Sequence, residues 1–141
     1  MSQDPSTPPT LKILLVENSR TSRMILSRHL ESQGYQVDAV TTGLEAIEEL
    51  SKADYNVILM DVYLSHMNGY EAAMRIRELG SNKANTPIIA LTSGTNERDK
   101  KICLEAGMND YIIKSDENDD LFNCLEGYQQ KLLAQSNKKI S

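Results

Sequence analysis

Six residues at four places along the chain carry side chains suited to handling a phosphoryl group: Glu17 and Asn18, Asp61, Thr92 and Ser93, and Lys114. A carboxylate such as Asp61 can act as a nucleophile toward phosphorus, as in enzymes that form an aspartyl phosphate. Glu17, Asn18 and Asp61 are oxygen ligands of the kind Mg²⁺ takes, a hard cation held by one or two carboxylates together with waters and phosphate. Lys114 could hold a phosphoryl oxygen by charge, and Thr92 or Ser93 could donate a hydrogen bond to another. Phosphoryl transfer needs little beyond such positioning and neutralisation of charge.

Taken singly, each residue has an equally good structural reading. An Asp after a strand is often a helix cap or turn residue. Glu17–Asn18 could simply open a helix capped by Asn18 or Ser19, Thr92 and Ser93 could do the same further on, and Lys114 could be an ordinary surface lysine. All of these holding at once matters only if the fold brings the four places together, so the elements between them decide.

Short apolar runs occur at Lys12–Val16, Tyr35–Val40, Tyr55–Met60, Pro87–Leu91 and Tyr111–Ile113. The first, third and fourth are nearly continuous in Ile, Leu, Val and Met, as expected of strands covered on both faces in a parallel sheet. The second alternates, which suits an edge strand. Helical spacing fills the gaps: Ile25, Leu26 and Leu30; Leu44, Ile47 and Leu50; Ala72, Ile76 and Leu79; Ile102, Cys103 and Ala106; and the stripe Leu121, Leu125, Tyr128 and Leu132. Gly34, Gly80 and Gly107 stand where three of these helices should stop, as left-handed caps. Strict strand–helix alternation implies a doubly wound α/β sheet. In such sheets ligands bind beyond the carboxyl ends of the strands. Glu17–Asn18, Asp61, Thr92–Ser93 and Lys114 each follow or end a different strand, so the topology brings them to one edge.

Composition narrows the function classes. The chain has 141 residues, 40% hydrophobic and 25% charged, which suits one soluble domain with its own core. A net charge of -5 argues against direct contact with nucleic acid. The apolar runs fall far short of the ~20 residues that span a membrane, and residues 1–10 lack the basic start and apolar stretch of a secretory signal. A cytoplasmic location is the resulting expectation. Cys103 and Cys124 are too few for a disulfide framework or a zinc site and read as buried thiols on helices. Residues 1–10, with Pro5, Pro8 and Pro9, are expected to be a flexible tail or linker, 11–133 the domain, and 134–141 a second flexible tail.

The segments ILLVENSRTSRMIL, VILMDVYLSHMNGYEAAMRIR, TPIIALTSG and CLEAGMNDYIIKS resemble those of response-regulator receiver domains, over roughly residues 11–133. The wording is most similar to receivers fused to hybrid histidine kinases. The resemblance implies a flavodoxin-like sheet in the order 2-1-3-4-5. It implies that Asp61 accepts a phosphoryl group from a phosphohistidine on a histidine kinase or histidine phosphotransfer domain. Glu17, Asn18, Asp61 and the backbone carbonyl of Tyr63 would surround Mg²⁺. Thr92 would contact the phosphoryl group, Ser93 would be the small neighbour beside it, Lys114 its ion pair, and Tyr111 an aromatic switch that follows Thr92. The family often pairs through the face of the fourth and fifth helices, so a homodimer there is one expectation.

Four positions depart from the family pattern. Asn18 stands where a directly ligating acid is usual, Ser65 and Ser115 replace prolines, and Asn68 replaces an acid before Gly69. Asn18 removes a formal negative charge, so weaker Mg²⁺ binding is expected; Ser115 removes a conformational constraint, so the loop after Lys114 is expected to be either more mobile or all-trans. These changes keep a second reading in view: a degenerate receiver working as a phosphorylation-independent interaction module. An aspartate-dependent phosphatase of the dehalogenase type would want an acid at Tyr63, and a dinucleotide binder would want glycines within 17–22. A histidine phosphotransfer bundle built on His29 is at odds with five apolar strands.

Overall fold

The computed structural model describes residues 9–62, 68–92, 97–115 and 117–140. Strands and helices alternate along the chain: β1 (Lys12–Val16), α1 (Arg20–Ser32), β2 (Gln36–Val40), α2 (Gly43–Lys52), β3 (Val57–Asp61), α3 (Gly69–Arg77), a 3-10 turn (Asn82–Asn85), β4 (Ile88–Thr92), α4 (Glu97–Glu105), β5 (Asp110–Ile113) and α5 (Asp119–Ile140). The strands form a parallel sheet in the order β2-β1-β3-β4-β5, the flavodoxin-like arrangement. β2 lies at an edge, as its alternating pattern suggests.

Residues of β1, β3 and β4 are buried on both faces of the sheet, and successive side chains feed two cores. Leu14, Val16, Ile58, Met60, Ile88 and Ala90 pack with Ala46, Leu50, Ala72, Ile76 and Cys103 from α2, α3 and α4. Ile13, Leu15, Val57, Leu59, Ile89 and Leu91 pack with Leu30 of α1 and Leu121 and Leu125 of α5. Each fully buried Leu or Ile contributes about 1.5–3 kcal/mol, so these continuous apolar runs hold the strand register that the site depends on. The α5 stripe faces the sheet as its spacing implies, with Tyr128 and Leu132 packed against the second core.

Capping is local and legible. Ser19, Thr42 and Asn68 each accept a backbone N–H from three residues on, at the starts of α1, α2 and α3. Gly34 and Gly107 adopt left-handed φ values of 94° and 98° after α1 and α4. Gly80 does not: α3 stops at Arg77, Glu78 caps it in a right-handed conformation, and the chain continues into the 3-10 turn capped by Ser81.

Other expectations need correction. Ile25 and Leu44 are exposed, because the inward lines of α1 and α2 run through Leu26 and Leu30, and through Ala46 and Leu50. Helix α5 runs from Asp119 to Ile140. Residues 134–140 are polar, but they contain no Gly or Pro, and polarity alone does not stop a helix. The Gln129 amide donates to Pro9 O (2.8 Å) and accepts from Leu11 N (3.0 Å), tying the start of the described chain to α5. Among the described residues no helix is long and apolar enough to cross a membrane.

Candidate functional site

The carboxyl ends of β1, β3, β4 and β5 lie side by side because the register pairs Val16 with Met60, Asp61 with Leu91, and Thr92 with Ile113. Asp61 is the last residue of β3 and is nearly buried, at 5% exposure. Glu17, one residue past β1, is 2% exposed. Lys114, one residue past β5, reaches across the edge: its Nζ donates to Asp61 Oδ2 at 2.9 Å and to Glu17 Oε2 at 3.0 Å. Thus one ammonium joins two acids from strands that are distant in sequence.

Each group is held from behind. Glu17 N donates to Val40 O (3.0 Å), Arg23 Nη1 donates to Glu17 O (3.1 Å), and Ser19 N donates to Glu17 Oε1 (3.1 Å). Lys114 N donates to Thr92 O at 2.6 Å, which extends the β4–β5 ladder by one residue and aims the lysine at the edge. Behind Asp61, Gly69 N donates to Val62 O (3.0 Å), and α3 starts so close that a Cβ on Gly69 would press on the Asp61 carbonyl and lie 2.8 Å from Val62 Cα. Gly69 is therefore a close-approach glycine, a role hidden in the sequence behind the helix-start motif Asn68–Gly69.

Burial pushes the Glu17 carboxyl above its ordinary value, with the neighbouring Asp61 charge adding to the rise; Lys114 and Ser19 N–H pull the other way without overcoming it. Burial alone would lower the Lys114 ammonium, but its hydrogen bonds to Asp61 and Glu17 outweigh that, and the net shift is upward. Lys114 therefore stays charged at neutral pH. Glu17 and Asp61 are buried while Lys114 is about a third exposed, so removing the lysine would leave two acids close together with no cation between them.

Thr92 ends β4 and is fully buried. Asn18 is exposed in the bend between Glu17 and the Ser19 cap. Tyr111 lies in β5 opposite Ala90, half-buried against the core that includes Cys103 and Met108. Tyr63, Ser65, His66 and Ser93 lie outside the described residues. The peptide bond from Lys114 to Ser115 is trans. Both thiols are on helices, Cys103 buried and Cys124 half-buried, and burial raises both pKa values, which leaves them poor nucleophiles.

The donor set suits a hard cation. Among the described residues no group of three or more His, Cys, Asp and Glu side chains gathers as a metal cluster. Among the described residues the acids at this edge are Glu17 and Asp61, both bonded to Lys114. Oxygen donors of this kind fit Mg²⁺, which needs only one or two carboxylates.

Residues 13–126 match the family model for the response regulator receiver domain. The chain is 39% identical over 120 residues to hybrid signal transduction histidine kinase B of Dictyostelium discoideum, covering 78% of this chain and 6% of that protein. It is 36% identical over 124 residues to the autoinducer 2 sensor kinase/phosphatase LuxQ of Vibrio parahaemolyticus, covering 88% of this chain and 14% of that protein. It thus spans a small fraction of these curated relatives. Among solved structures, the receiver domain of the sensor histidine kinase PA1611 of Pseudomonas aeruginosa, with a magnesium ion coordinated in its active site cleft, superposes with a TM-score of 0.78 at 35% identity, covering 86% of this chain and 99% of that one. Strand order, the acid–lysine edge and a family match over most of its length agree: this chain belongs to the response regulator receiver domains of two-component signalling.

Proposed function

We propose that this domain accepts a phosphoryl group on Asp61 from a phosphohistidine and that the acyl phosphate changes its interaction surface. The observation that carries the reading is the Lys114 ammonium bonded to both Asp61 and Glu17 at the carboxyl edge of the sheet. In the transfer, an Asp61 carboxylate oxygen forms the new bond to phosphorus as the phosphorus–nitrogen bond to the donor imidazole breaks, and that nitrogen keeps the electron pair. Lys114 is placed to follow the charge from the carboxylate to the phosphoryl oxygens, and the Thr92 hydroxyl to meet another of them. Backbone hydrogen bonds to Glu17 and Lys114 keep these groups in position before the donor arrives, which is where the catalytic benefit of preorganisation lies.

Mg²⁺ would be held by Glu17 and Asp61, with Asn18 and the Tyr63 carbonyl completing the set, and when bound it would neutralise charge on the transferring group. Asn18 brings no formal charge, so binding is weaker than with an acid there. The phosphoryl group adds about −1.5 to −2 charges at the edge. That is a sufficient local cause for Thr92 and then Tyr111 to shift and alter the surface around α4 and β5.

The donor is a histidine kinase or a histidine phosphotransfer domain, a reading supported by the names of the curated relatives. A cytoplasmic setting goes with it. Incubation with acetyl phosphate and Mg²⁺ tests the proposal: it requires a Mg²⁺-dependent adduct. Absence of an adduct at high donor and metal would instead favour a degenerate interaction module.

A further inference from the structure

Ser115 and Asn118, beyond Lys114, line a cleft that Leu91, Ile112 and Leu121 also line. A cavity of about 270 Å³ opens between the start of α1 and the start of α5, lined on one side by Ser22, Ile25 and Leu26 and on the other by Lys114, Ser115 and Asn118. Packing therefore gives the loop little support from that side. The proline that the family resemblance would place after Lys114 is replaced by Ser115, so that stiffening is missing too.

Hydrogen bonds stand in for both. Ser115 Oγ accepts from Asn118 N at 3.1 Å, closing the loop on itself. Asn118 adopts a φ of 57°, the sole left-handed non-glycine among the described residues, a conformation Asn tolerates better than most. Asn118 O accepts from Phe122 N at 3.0 Å and so starts α5. Its side chain reaches α1: Nδ2 donates to Nδ1 of His29, in the last turn of that helix, at 3.2 Å. His29 is 89 residues away in sequence. The same helix α1 carries Arg23, which holds Glu17.

We propose that Ser115, Asn118 and His29 form a clasp that positions Lys114 toward Asp61, taking over the role of the missing proline. None of the three touches the reacting atoms. They are positioning residues that act through Lys114, and this inference rests on the phosphoacceptor reading of Asp61.

Asn118→Gly removes the bond to His29 while keeping the left-handed backbone available. His29→Leu removes the acceptor, and His29→Gln restores one. The rate of Asp61 phosphorylation by acetyl phosphate in saturating Mg²⁺ should fall roughly three- to tenfold in Asn118→Gly and in His29→Leu. The double variant should be no slower than either single one, and His29→Gln should recover most of the rate. In a Lys114→Ala background Asn118→Gly should have no further effect, an outcome that general loosening of the fold would not give.

Unchanged rates in both single variants, or the full loss repeated in the Lys114→Ala background, would overturn the clasp. Amide hydrogen exchange at Lys114 gives a readout independent of phosphorylation. It should speed up in Asn118→Gly and in His29→Leu, because the Lys114 N–H to Thr92 O bond loses its support. If the wild-type protein takes no phosphoryl group, the phosphoacceptor reading fails while exchange still decides the clasp: unchanged exchange rules it out.

Discussion

The backbone of Gly69 lies directly against that of Asp61, with Gly69 N bonded to Val62 O and no room for a methyl group between the start of α3 and the end of β3. Gly69 has no left-handed φ, so the constraint is steric. Its consequence is that α3 buttresses Asp61 from behind.

Gly69→Ala should therefore push on Asp61 rather than only on the helix. Overpacking of this kind costs about 1–3 kcal/mol. Urea denaturation should show that loss, and phosphorylation of the folded fraction should also slow. A stability loss with a normal phosphorylation rate would mean that α3 absorbs the methyl group instead.

Asn18→Asp should tighten Mg²⁺ binding on the order of tenfold, equivalent to ~1.4 kcal/mol. It restores a third acid beside Glu17 and Asp61 at an exposed position where a carboxylate can be hydrated before metal arrives. A metal titration followed by intrinsic tyrosine fluorescence or calorimetry reads it directly. Equal affinities would remove Asn18 from the ligand set.

Arg77, partly buried, should be a stabilising hub. Its Nε donates to Gly107 O (2.8 Å), Nη1 to Ala84 O (2.8 Å) and Thr86 O (2.7 Å), and Nη2 to Asn109 Oδ1 (2.8 Å). It thereby ties the end of α3 to the 3-10 turn, the end of α4 and the start of β5. Arg77→Met should cost about 2–4 kcal/mol, since several carbonyls lose charge-assisted partners. Arg77→Lys should rescue little, because a lysine lacks the planar fork. Denaturation midpoints of the two variants decide this.

Alkaline pH should unlock a bond between β2 and the segment that precedes β3. Tyr55 donates its hydroxyl to Asp38 Oδ2 at 2.8 Å, and burial, followed by that bond, raises the phenol far above 10.0. For an acid whose folded pKa is raised, the folded state holds its proton longer than the unfolded state. Stability from this bond is therefore present in full below pH 10 and lost as pH climbs toward the raised value. Between pH 8 and pH 11 the wild type should lose about 1 kcal/mol relative to Tyr55→Phe. Parallel profiles for the two proteins would contradict it.

The continuous apolar runs made the buried strands legible, because only a sheet covered on both faces buries Ile13–Val16, Val57–Met60 and Ile88–Leu91 whole. Strand ends were legible for the same reason: each run stops at a polar residue, and those residues meet at one edge. Glycine is a weaker signal at Gly80, which follows α3 without capping it. The supports of the site were not legible. Gly69 reads as part of a cap, Arg77 as one more surface cation, and His29 and Asn118 as unrelated residues. Each acts through a contact across the fold that has no local periodicity to announce it.

Intact-mass analysis with peptide mapping after treatment with acetyl phosphate and Mg²⁺ decides whether Asp61 is the phosphoacceptor. The expected result is one phosphoryl group per chain, located on Asp61, absent in Asp61→Asn and absent when Mg²⁺ is chelated. No adduct in the wild type with donor and metal in excess, or an adduct that persists in Asp61→Asn, would contradict the account.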